Sequence, residues 1–191
     1  MKKMISFSSL LLLTFQFTFA QQGESGVYFT TQDFKNGKLE YAINCKTEKH
    51  KIKLNDFLDK PYITVIHEGK RYEHQKKDIF GYRDCEGIDY RFVNNGNYPI
   101  LNPQENIVLY KLIQGVDSKT SKRTISYFFS NGLDGSVVAL TVENLKAAFS
   151  DNHKFHDLLD TEFGSGAVAL TDYDSFHKIY KVNRLYQNSQ K

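Results

Sequence analysis

The side chains best placed for chemistry fall in one short stretch, His153-Lys154-Phe155-His156-Asp157, followed one turn later by Asp160. On a helix, His153 and His156 are neighbours at i and i+3. Asp157 stands at i+4 from His153, and Asp160 at i+4 from His156, so imidazoles and carboxylates could converge on a metal ion and activate a water. The pattern is not that of a zinc peptidase, which needs His at i and i+4 with Glu beside the first. A closed four-coordinate site would also need a distant ligand such as His177. The competing reading places His153, His156 and Asp157 on the polar flank of an amphipathic helix whose apolar stripe runs through Phe155 and Leu159.

Other reactive residues carry weaker patterns. Cys45 and Cys85 are the two cysteines of the chain. An oxidising compartment would let them bridge; otherwise they are two buried thiols. Neither has a neighbouring base or oxyanion site, which argues against a catalytic thiol. Asp172-Tyr173-Asp174 and Asn131 to Gly135 resemble fragments of calcium loops but lack the alternating oxygen ligands and the closing Glu. Gly164-Ser165-Gly166 lacks the spacing of a nucleophile elbow, and neither a P-loop nor a dinucleotide fingerprint is found. No pair is singled out among the 22 acidic residues as the acid and base of a glycosidase. The 15 Phe and 12 Tyr fit strand cores as well as a binding face, and the absence of Trp weakens a sugar-stacking role.

The elements that must position these residues are legible from periodicity. Between Gly26 and Leu140 apolar residues alternate, the signature of half-buried strands. Leu39, Tyr41 and Ile43 share one face of a strand; Tyr62 to His67 and Lys70 to His74 form a hairpin about the Glu68-Gly69 turn. Asp78 to Asp84 and Ile88 to Val93 form a second hairpin around Cys85-Glu86-Gly87, with Ile88, Tyr90 and Phe92 inward and Asp89 and Arg91 outward. Asn94 to Asn97 and Pro99 to Pro103 read as a loop, and Ile107 to Ile113 and Arg123 to Ser130 as strands, the latter with Ile125, Tyr127 and Phe129 on one face. Near Thr141 the period becomes helical. Val142, Leu145 and Phe149 form one stripe and Phe155, Leu158, Leu159 and Phe163 another, with Ser150 as the intervening cap. Thr171 and Asp174 read as a capping box opening a last helix that carries Tyr173, Phe176, Ile179, Tyr180 and Tyr186. The expected fold is α+β: an antiparallel, β-rich sheet of about six to eight strands with the C-terminal helices packed on it.

The N-terminus supplies an address. Lys2 and Lys3 precede the apolar segment Met4 to Phe19, and Thr18-Phe19-Ala20 ends it with small residues before Gln21-Gln22, the form of a cleaved signal peptide. The expected division is residues 1–20 as signal and 21–191 as a single domain, β-rich over 21–140 and helical over 141–191. No cysteine follows the signal core for lipid attachment, and no later segment reads as a membrane span. After cleavage 23 basic side chains face 22 acidic ones, a balance that argues against nucleic acid as partner. The product is expected to be secreted or periplasmic, and N-terminal sequencing of exported protein should begin at Gln21; retention of Met1 would overturn this reading.

The segments Gly26-Val27-Tyr28 with Asp33-Phe34-Lys35-Asn36-Gly37-Lys38, Asp78-Ile79-Phe80-Gly81-Tyr82-Arg83 and Asn152-His153-Lys154-Phe155-His156 resemble a group of uncharacterised small secreted or periplasmic proteins of Bacteroidetes-type bacteria. The resemblance implies a Gram-negative envelope setting and carries over no substrate, cofactor or active-site residue. The function expected from the sequence is therefore an exported, non-enzymatic binding or structural module, without a cofactor, that meets an unknown protein or envelope component through a sheet face or the helix–sheet junction. A small secreted hydrolase or metal-dependent protein using His153, His156 and Asp157 is the alternative.

Overall fold

In the computed structural model, which describes residues 23–48, 51–56, 59–116 and 123–191, the alternating segments fold into antiparallel strands and the C-terminal segment is largely helical. The segment read as a signal peptide, residues 1–20, lies outside the described residues. In chain order the elements are β1 (Glu24–Tyr28), α1 (Thr31–Lys35), β2 (Glu40–Asn44), β3 (Lys51–Lys53), β4 (Tyr62–His67), β5 (Lys70–Gln75), β6 (Gly81–Arg83), β7 (Asp89–Val93), β8 (Gly96–Pro99), β9 (Ile107–Val116), β10 (Arg123–Asn131), β11 (Val138–Ala139), α2 (Val142–Ala148), α3 (His153–Phe163), β12 (Tyr173–Asp174), β13 (Ile179–Tyr180) and α4 (Lys181–Ser189). One sheet has the order β2-β1-β6-β7-β8, a second β3-β4-β5 and a third β11-β10-β9, while β12 and β13 form a separate ribbon. The strands thus outnumber the expected six to eight, because several are two or three residues long and too short to show alternation.

Burial explains how the sheets stack. Val27 and Tyr28 are neighbours on β1, yet neither is exposed to solvent. Successive strand residues point to opposite faces, so the five-stranded sheet is covered on both. Val27, Tyr82 and Phe92 pack against Ile63 and Val65 of β4. Tyr28, Phe34 and Phe80 pack against Val108 and Tyr110 of β9. The other face of β9 and β10, carrying Ile107, Leu109 and Phe129, lies under Leu145 of α2, Phe155 and Leu159 of α3, and Val182 and Leu185 of α4.

Ile88, expected inward, is exposed just before the hairpin's second strand, beside the turn, and the double coverage corrects the outward placement of Asp89 and Arg91. Asp89 accepts two hydrogen bonds from Arg83, each at 2.8 Å, and one from the Tyr28 hydroxyl at 3.0 Å. Arg91 donates to the Tyr110 hydroxyl at 3.0 Å. Both are half-buried because a further sheet covers the face that a lone hairpin would leave in water. Burial and the neighbouring Asp89 also push the Tyr28 hydroxyl well above its ordinary pKa, keeping it a neutral donor.

Several local expectations hold. The hairpin β4–β5 pairs His67 with Lys70 across Glu68-Gly69, both with positive φ, as a tight two-residue turn requires. Thr141 caps α2 by accepting from the Asn144 N–H. Others shift. Asn94-Asn95 is the turn of a hairpin in which β8 pairs with β7, and the cap of α3 is Asn152, which accepts from the Phe155 N–H at 2.9 Å, rather than Ser150. Helix α1 went unseen in the sequence because it is a single capped turn, closed by a Thr30–Asp33 capping box. The strand register slips between Ser25 and Val27 opposite β2. Tyr41 takes a φ of 53° there, and Leu39 and Tyr41 end in different clusters.

The helical layer is tied to the sheet by one buried amide. Asn183 of α4 accepts from the Ile107 N–H at 3.1 Å and donates to the Ile107 carbonyl at 3.0 Å. Asn183→Ala would leave the Ile107 N–H unpaired in the core, while the Ile107 carbonyl keeps the Asn102 side-chain N–H at 2.9 Å. We expect a loss of about 2 kcal/mol, read as a lower midpoint in urea with an unchanged slope.

Candidate functional site

The helical residues singled out for chemistry are placed on α3 as expected, but they do not assemble a centre. Phe155, Leu159 and Phe163 turn inward, leaving His153 and Asp157 exposed. The His153 and His156 rings meet edge to face at 5.7 Å. Nε2 of His156 lies 3.0 Å from the Phe149 carbonyl oxygen; a carbonyl can only accept, so that nitrogen carries the proton and closes the end of α2. Asp160 is held by Nζ of Lys146 at 2.6 Å. His177 lies elsewhere, against Asp174. Among the described residues no group of three or more His, Cys, Asp and Glu side chains could hold a metal ion.

The two cysteines are joined. Cys45 follows β2 and Cys85 sits in the β6–β7 turn, with Cα atoms 5.7 Å apart and the sulfurs bonded. The bridge spans β1, tying β2 to the turn of the second hairpin.

A different arrangement stands out at the helix–sheet junction, where the expected capping box at Thr171 and Asp174 is replaced by the β12–β13 ribbon. Asp174 does not open a helix; it closes the turn. One carboxylate oxygen accepts from the backbone N–H of Phe176 at 3.1 Å and of His177 at 3.0 Å, and the other accepts from Nδ1 of His177 at 2.8 Å and from Arg184 of α4. These donors, the His177 backbone first, hold the carboxyl below the ordinary carboxylate range. Its charged form therefore favours the folded turn at neutral pH, and that contribution disappears as pH falls through the lowered pKa. The Phe176 amide should keep its hydrogen-bonded chemical shift down to about pH 4 and lose it below, as Asp174 takes up its proton.

So held, the turn presents Phe176 to water at 87% exposure, with Tyr173 beside it at 54%. A helix over this segment would have placed Phe176 in the apolar stripe, as the periodicity suggested. The signal for the alternative was Asp174 two residues before Phe176, the spacing of a carboxylate that accepts from the backbone two residues on.

The exposed rings continue onto β10. Tyr173 meets Tyr180 at 5.2 Å, and burial, with Tyr127 and Tyr173 nearby, raises the pKa of the Tyr180 hydroxyl. Beyond Tyr127, Ile125 stands opposite Ile113 in the ladder, and both are nearly half exposed, at 46% and 47%. The reason is reach: the helices cover Leu109 and Phe129 but stop short of the far half of the β9–β10 hairpin. The backbone there is open too. Strand β11 pairs with β10 only at Phe128 and Phe129, and the Leu140 N–H reaches the Tyr127 carbonyl at 3.0 Å. By the two-residue period, the N–H and C=O of Ile125 point to that same side, past the end of β11.

No protein-family model matches the chain, and neither the curated proteins nor the solved structures contain a match to it.

Proposed function

We propose that this protein is an exported, non-enzymatic binding module that holds a partner protein at the junction of the β9–β10 hairpin and the β12–β13 turn. The observation that carries this reading is Phe176, 87% exposed on a turn fixed by Asp174. Leaving a phenyl ring in water forgoes about 1.5–3 kcal/mol of burial, and a rigid aromatic anchor at the centre of a contact surface recovers it on binding. The open edge at Ile125 suits an extended segment of the partner, laid antiparallel along β10 with an apolar residue over Ile125 and Ile113. Lys111 and Lys178 flank the surface without a carboxylate partner among the described residues, so the segment should carry acidic flanks. The signal-peptide reading and the disulfide support export.

The test is site-specific photo-crosslinking from position 176 in the producing cell, with position 154 on the exposed flank of α3 as control. A discrete adduct from 176 alone, lost in Ile125→Lys, is the expected result. Adducts of equal yield from both positions, or none from either, would sink the proposal. Phe176→Ser should leave the melting temperature within about 1 °C of the parent, because the ring makes no core contact.

A further inference from the structure

Bordering that surface at Ile113, a cleft of about 440 Å³ opens between Asp56 and Asp59, the β7–β8 hairpin and β9, lined also by Asn97, Pro99 and Leu112. Its volume lies within the ~300–1,000 Å³ of small-ligand sites. Beneath it lies Lys76, whose side chain has no solvent exposure. Nζ of Lys76 donates to Asp56 at 2.8 Å and to the Asn95 carbonyl at 2.6 Å, and the Phe92 ring lies 5.9 Å away. A buried ammonium is a poor way to gain stability, since its desolvation costs several kcal/mol and an apolar residue of similar length would pack as well. What Lys76 does provide is position: it fixes the Asp56 carboxylate and the backbone of the β7–β8 turn relative to each other. Asn97 completes the arrangement by donating its side-chain N–H to the other Asp56 oxygen at 2.6 Å.

The groups left facing the cleft are mostly acceptors, with the second side-chain N–H of Asn95 and of Asn97 as donors beside them. The Asn97 amide oxygen, the Asp59 carboxylate, which has no side-chain partner among the described residues, and the remaining lone pairs of Asp56 all call for a ligand rich in O–H donors. Pro99, Leu112 and Ile113 add apolar surface. An anion is disfavoured, because the carboxylates repel it and the charge of Lys76 is already matched by Asp56. A metal ion is disfavoured as well, because both oxygens of Asp56 are engaged. Hydroxyl edges combined with a C–H face describe a pyranose ring, and we propose that this cleft, held in shape by Lys76, binds a neutral saccharide. The apolar surface it meets comes from Pro99, Leu112, Ile113 and the Tyr90 ring, in a chain without Trp.

The experiment titrates isotope-labelled mature protein with cellobiose, maltose and chitobiose to ~10 mM, a range suited to millimolar affinity. At least one disaccharide should produce saturable shifts at the Asn95, Gly96 and Asn97 amides, little affected by salt. Asn97→Ala should weaken it about tenfold, and Lys76→Met should do the same and melt lower than the parent, because Asp56 and the Asn95 carbonyl lose their donor. Should Lys76→Met fail to fold, Asn97→Ala still decides. Absence of saturable shifts, shifts centred elsewhere, affinity unchanged in Asn97→Ala, or salt-sensitive binding of spermidine in place of the sugars would each overturn the proposal. None of these outcomes bears on crosslinking from position 176, so the two readings fail separately.

Discussion

Reduction of the Cys45–Cys85 bridge is expected to lower the melting temperature by about 10 °C. The two residues are 40 apart in sequence, and closing a loop of that length removes about 3–4 kcal/mol of chain entropy from the unfolded state on the loop-closure model. For a domain of this size each kcal/mol moves the midpoint by ~2–4 °C. The native contacts should survive, because the bridge joins elements already in register: β1 pairs with β2 on one side and with β6 on the other. Calorimetry of the oxidised protein, the reduced protein and the Cys45→Ser/Cys85→Ser variant measures the effect. Coincident midpoints for all three would show that the bridge adds nothing to stability, and thiol titration of native exported protein finding two free groups would show that it does not form.

Gly81→Ala should destabilise nearly as much. Gly81 pairs with Arg91 across the β6–β7 ladder, and a methyl group there would stand 1.8 Å from the Tyr90 carbonyl oxygen and 3.1 Å from the Arg91 Cα. Both are backbone atoms in a covered sheet, so no side chain can swing aside and the strands must separate. Overpacking of this kind costs about 3 kcal/mol at the upper end of its usual range. The same displacement would disturb the Tyr82–Tyr90 stack, whose rings lie 4.6 Å apart and nearly parallel. The expected result is a fall in midpoint of ~6–12 °C, with near-ultraviolet dichroism reporting the tyrosines. A variant that melts with the parent would mean that the strands have slack this packing does not suggest. Gly37→Ala offers a contrast: its Cβ meets no atom within 4 Å, and only the positive φ of 65° opposes it.

Much of the architecture was legible in local order because it depends on near neighbours. The β4–β5 hairpin follows from Glu68-Gly69 between two alternating runs, and the start of α2 from Thr141 before an apolar stripe; a turn or a cap is made by residues within reach of one another along the chain. The cysteines named their own alternatives. What local order could not carry was coverage. Asp89 and Arg91 alternate with Tyr90 and Phe92 like any exposed face, and only the arrival of β9 makes that face an interior. The same limit operated in reverse at Ile125, which alternates like a core residue but lies beyond the end of the helical layer.

The candidate sites divide along the same line. His153, His156 and Asp157 are close in sequence and drew attention for that reason; in the fold His156 closes α2 and the other two face water. Phe176 was misplaced because helical periodicity and an Asp-capped turn share the same residue types. Lys76, Asp56 and Asn97 were invisible, separated by 20 and 41 residues and brought together only when two sheets stack. The residues alone determined the α+β class and most of the strands and helices among the described residues. Tertiary structure decided which faces are covered and which polar groups meet, because covering a face and matching a buried charge are both acts of residues far apart along the chain.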